Sequence, residues 1–115
     1  MVSKAESQST MIPHLFIRLA LVPFSVAASA CPHAERPPAA FDRAYAGELR
    51  EYPLPLSQIP RACAELSGQL ANISGCGYEV VVHGTGERFG LIVYPEGCSE
   101  IRRHEIGHVN GWSHR

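Results

Sequence analysis

The run His104-Glu105-Ile106-Gly107-His108-Val109-Asn110-Gly111-Trp112-Ser113-His114 constrains the fold more than any other part of the chain. On a helix, residues four apart lie one turn apart on the same face, so the imidazoles of His104 and His108 can reach one metal ion. Glu105 sits about 100° further round, close enough to reach a water held by that metal. Gly111 lets the backbone take a left-handed turn that ends the helix, and the chain can then return His114 as a third nitrogen donor. Three imidazoles leave a fourth tetrahedral position open, which is the arrangement of a catalytic site and not of a closed structural one. Zinc suits such a donor set best, although nickel, cobalt or copper fit the same ligands.

Written as H-E-x-x-H-x-x-G-x-x-H, this pattern resembles the extended zinc motif of the metzincin metallopeptidases. The resemblance implies that His104, His108 and His114 hold Zn2+, that Glu105 is the catalytic general base, and that the substrate is a peptide or protein. It covers residues 104–114 alone. Metzincins carry a methionine-containing turn beyond the third histidine, whereas here Arg115 follows His114 and the two methionines, Met1 and Met11, lie in the N-terminal leader. The resemblance thus extends to the metal site without the Met-turn. Trp112, inside the motif, is expected to pack under the ligand turn in place of part of that floor. Three other readings stay open: a non-catalytic zinc-binding module completed by a partner protein, a truncated metzincin remnant, and a hydrolase of amides other than peptides. Glu105 separates the module from the enzymes, because a structural site has no use for a carboxylate there.

Upstream, residues 19–28 are apolar, Arg18 precedes them, and Ala28-Ser29-Ala30 has the small-x-small form of a secretory cleavage site. Residues 1–30 therefore read as a signal peptide, with its start at Met1 or Met11. Pro13, His14, Arg18 and Pro23 interrupt the stretch too often for a membrane-spanning helix, so no span is expected in the mature protein. The expected location is a periplasm or the cell exterior. Cys31 directly follows the cleavage site, which also admits a lipoprotein anchored through Cys31. The four cysteines, Cys31, Cys63, Cys76 and Cys98, are an even set that can form two disulfides after export, and none sits at C-x-x-C spacing. Cys98 is expected to pair with Cys76 or Cys63. A formal net charge of -1 leaves no basic footprint for nucleic acid. His33 and His83 have no partner at ligand spacing and read as surface or packing residues.

Residues 31–56 are rich in Pro and Ala, and within them Phe41, Tyr45, Leu49 and Tyr52 recur at helical spacing, so a short helix is expected there. Residues 57–115 read as the small zincin-like domain. Its first helix is expected to start at Ser57 as N-cap and to bury Ile59, Cys63, Leu66 and Leu70, with Pro60 tolerated in the first turn. Residues 78–83 and 88–94 are β-branched and aromatic, and Gly84-Thr85-Gly86-Glu87 joins them as a hairpin. Ser99 is expected to cap the metal-binding helix, with Arg102 and Arg103 on its solvated face. The expected fold class is α+β: a minimal zincin-like core in which a helix and a β-hairpin pack on the C-terminal zinc helix. By likeness to zincins, residues 88–94 are the candidate strand for aligning an extended substrate. A core this small calls for staples, and the disulfides and the metal are the available ones.

Overall fold

The computed structural model describes residues 30–68 and 73–114. The expected leader, apart from Ala30, lies outside the described residues, as does Leu70. Among the described residues there are three strands and two α-helices, a small mixed α+β fold. Strand β1 is Leu49–Leu54, helix α1 is Ile59–Ser67, strands β2 and β3 are Cys76–Val81 and Arg88–Pro95, and helix α2 is Ser99–Val109.

Strand β3 is the most apolar run, and it occupies the middle of the sheet, in the order β1-β3-β2. Successive side chains of a strand point to opposite faces, so a strand covered on both sides needs apolar residues at every position. Val93 faces α1, in a cluster with Ile59, Cys63 and Cys76. Ile92 faces α2, in a cluster with Ile106 and Val109. The sheet thus lies between the two helices. The expected hairpin is present, with β2 antiparallel to β3 and Cys76 opposite Val93. Gly77 is what lets β2 come so close to α2, because a Cβ there would collide with the main-chain carbonyl of Glu105.

Several expectations are corrected. The helix expected over residues 41–52 is absent; Leu49–Leu54 is instead a strand, parallel to β3, with Leu49 opposite Gly90. Tyr45 and Leu49 do turn inward, but onto the Ile92–Ile106–Val109 cluster from a loop and a strand. Gly47 disfavours a helix here, and pairing with β3 gives the segment an apolar strand to lie against. Residues 88–94 are therefore not an edge; β2 and β1 are. Ser57 lies inside a 3₁₀ turn, Leu56–Gln58, and α1 begins only at Ile59 with Pro60 in its first turn. Ser99 is the first residue of α2 and Cys98 holds the capping position, with no side-chain cap.

The cysteines form two disulfides, as their even number led one to expect, but Cys98 pairs with Cys31 and Cys63 pairs with Cys76. A sulfur in that bond has no valence left for a lipid thioether at Cys31. Arg102 and Arg103 are solvent-accessible, as expected, and both are paired. Each grips a carboxylate with two nitrogens: Arg102 holds Glu51 at 2.7 and 3.0 Å, and Arg103 holds Asp42 at 2.7 and 2.6 Å. These pairs tie α2 to β1 and to the loop before it. Among the described residues, no helix is long and apolar enough to cross a membrane.

Candidate metal centre

Helix α2 carries His104 and His108 on one side, and the chain reverses immediately after it. The reversal has a specific cause. Gly111 takes a φ of 114°, in the region that favours glycine, and its N–H donates to the His108 carbonyl at 3.0 Å. The Trp112 N–H donates to the Gly107 carbonyl at 3.0 Å. These two bonds make the Schellman closure that ends many helices, and here it returns the chain toward the face that holds the histidines. Asn110 secures the outside of the turn, donating from Nδ2 to the carbonyls of Phe41 and Arg43 at 3.0 and 2.7 Å.

The three histidines meet. Nε2 of His104 lies 3.1 Å from Nε2 of His108 and 3.2 Å from Nε2 of His114. One ligand atom from each falls within 4.8 Å of the others, so the three could hold a metal ion. Their second nitrogens explain the orientation. Nδ1 of His104 is 2.6 Å from the Glu35 carbonyl, and Nδ1 of His108 is 2.6 Å from the Trp112 carbonyl. A carbonyl oxygen only accepts, so in both rings Nδ1 carries the hydrogen and donates it. With the hydrogen on Nδ1, the lone pair of the neutral form of each ring lies on Nε2, the atom turned toward the other histidines. Lone pairs this close repel unless a positive charge lies among them, and the donor set fits a cation. Burial holds the His108 imidazole below its ordinary range against the opposing pull of the Trp112 carbonyl, and the neighbouring His104 and His114 lower it further. That keeps it in the form that binds metal.

Glu105, next to His104 on the helix, is buried, with only 5% of its surface exposed. Burial pushes its carboxyl up to about 8. It nonetheless lines a cleft of about 410 Å³ together with all three histidines. One wall of the cleft is His33, Ala34 and Glu35, and the other runs from Ile73 to Tyr78 at the start of β2. The four residues expected from the sequence are thus brought to one cleft. His33, read as a surface residue, is exposed at the rim; His83 is exposed beyond β2, near the hairpin tip. Sequence reasoning missed Glu35 and the carbonyl of Trp112. Both act through main-chain oxygens, which every residue carries, so no residue type could have signalled them. The chain matches no family model, no curated protein and no solved structure.

Proposed function

We propose that this protein is a zinc-dependent metallopeptidase with a reduced zincin-like core, exported from the cell in which it is made. The observation that carries the reading is a buried carboxyl, Glu105, in the same cleft as three converging imidazoles. His104, His108 and His114 would hold zinc, the metal favoured by a neutral three-nitrogen set. When bound, zinc lowers the pKa of water and polarises a carbonyl. Glu105, in the same cleft, would accept a proton from the attacking water and deliver it to the leaving amine. The free margin of β2, where Gly75 and Gly77 line the cleft, is where an extended peptide adds to the sheet. The two disulfides support an oxidising compartment. The short lever between helix and third histidine, closed by Gly111, supports the likeness to metzincins stated above.

Oxidised protein loaded with zinc tests the reading against a library of internally quenched peptides. Glu105→Gln keeps the shape and the three ligands, so zinc should remain bound while cleavage falls roughly 10²-fold or more. Equal cleavage by the variant and the parent would overturn the mechanism. Zinc retained with no cleavage in either protein would make it a zinc-binding module.

A further inference from the structure

Residues 31–38 contribute no metal ligand, yet they run alongside α2 for most of its length. Cys31 is bonded to Cys98, directly before the helix. Four residues on, the Glu35 carbonyl accepts the Nδ1–H of His104 at 2.6 Å. Two residues further, buried Pro37 packs on Gly107, where an added Cβ would lie 2.7 Å from its ring. The segment thus keeps pace with the helix, and one of its carbonyls falls opposite a metal-binding imidazole.

We propose that residues 31–38 are part of the metal centre: Glu35 is a positioning residue whose backbone carbonyl fixes the tautomer and orientation of His104, and the Cys31–Cys98 disulfide holds that carbonyl in place. The proposal rests on the metal-binding reading above. His108 draws its carbonyl partner from Trp112, four residues away on the same turn, so helix and turn alone orient it. His104 has no such local partner and takes one across 69 positions of sequence. A ligand whose second nitrogen is tied this way binds metal more tightly, and removing the tie typically costs 10–100-fold in affinity. The metal affinity of the site is therefore linked to the redox state of one disulfide.

That disulfide is also the accessible one. Its Cys31 half is exposed, with Cys98 at 6% exposure, whereas both halves of the other, Cys63 and Cys76, lie in the core at 0% and 6%. A dithiol reductant attacks the Cys31 sulfur as its thiolate, and Cys98 leaves and takes up a proton. The second thiol of the reagent then displaces Cys31, and the reagent departs as its cyclic disulfide, having supplied both electrons. Mild treatment should open Cys31–Cys98 and spare Cys63–Cys76.

Nitrogen-15 imidazole spectra of the metal-free protein at about pH 8, above the ordinary histidine range, read the tautomers directly. In the intact protein, His104 and His108 should both carry the hydrogen on Nδ1. After selective reduction and alkylation, or in a Cys31→Ser/Cys98→Ser variant, His104 should move to the Nε2–H form while His108 stays unchanged. Zinc affinity should fall about tenfold to a hundredfold. Glu35→Ala should preserve tautomer and affinity, since the partner is main chain; a loss there would move the effect to the carboxylate and overturn the assignment. An Nε2–H tautomer on His104 in the intact protein overturns the proposal outright, and this decides the matter even if the opened forms do not fold. So does an opened, folded protein with unchanged tautomer and affinity. Failure of the intact protein to bind zinc would instead reject the function proposed above, because the tautomers are read without metal.

Discussion

The indole of Trp112 lies flat against the imidazole of His108, with ring centroids 4.7 Å apart and planes 10° apart. The carbonyl of the same residue accepts the Nδ1–H of that imidazole. One residue thus contacts both the face and the Nδ1–H of a ring in the candidate metal centre, the first through its side chain and the second through its main chain. The expectation that Trp112 packs under the ligand turn is met in this form.

The chain has a single tryptophan, which makes this contact a reporter. Adding zinc should shift or quench the fluorescence of Trp112 in proportion to occupancy, saturating at one ion per chain. Trp112→Phe should retain an aromatic face and most of the affinity, whereas Trp112→Ala should weaken zinc binding about tenfold. Fluorescence that ignores zinc while elemental analysis finds it bound would place the metal elsewhere.

Metal should also stabilise the fold. At a free concentration about 100 times its Kd, zinc adds about 2.7 kcal/mol, which is roughly 10–20 °C in Tm for a domain of this size. A chelator should abolish that increment, and His104→Ala/His108→Ala should be insensitive to both zinc and chelator. His114→Ala should retain a part of the shift, because two ligands on one helical turn remain. Calorimetry with and without chelator measures each case.

Acid should act through the two arginine clamps. The Arg103 guanidinium holds the Asp42 carboxyl below its ordinary value, and Arg102 does the same to Glu51. A carboxylate with a depressed folded-state pKa contributes stability that is present above its unfolded value of about 4 and is lost as pH falls through the folded value. Asp42→Asn should therefore be less stable than the parent at neutral pH, and the gap should close as pH drops below about 4. The pair is solvent-accessible, so the difference is small and shrinks in high salt. Urea midpoints across that range, compared between variant and parent, are the measurement; a gap that widens in acid contradicts the assignment.

Gly77→Ala should be costly although the change is one methyl group. The new carbon would meet the main-chain carbonyl of Glu105, which cannot rotate away, so strand and helix must part. Overpacking of this kind costs about 1–3 kcal/mol, read as a fall in the urea midpoint. Because the helix that moves carries Glu105 and His104, zinc affinity should fall with it.

What the sequence made legible follows the reach of each interaction. His104 and His108 are one helical turn apart and Gly111 is three residues further, so spacing alone placed them. The hairpin was legible for the same reason: β-branched residues in two short runs with a glycine-bearing loop between. Tyr45 and Leu49 misled because a spacing of three or four residues also arises when a loop and a strand happen to turn apolar groups toward one core, and Tyr52 is exposed. What makes Leu49–Leu54 a strand is its parallel pairing with β3, some forty residues on, and local pattern carries no trace of it. The partner of Cys98 was hidden likewise, since Cys31 lies 67 positions away in a segment without regular structure.

The two disulfides differ most in the length of chain they close. Cys63 and Cys76 are separated by 13 positions, Cys31 and Cys98 by 67. In a formless chain the longer closure costs about 1.5 kcal/mol more in entropy. It joins the N-terminal segment to the entrance of α2, whereas the shorter one joins α1 to the start of β2. Oxidative refolding should accordingly accumulate a species with Cys63–Cys76 closed and Cys31–Cys98 open. What that species lacks is the last covalent stitch, the one beside the segment that brings Glu35 to His104.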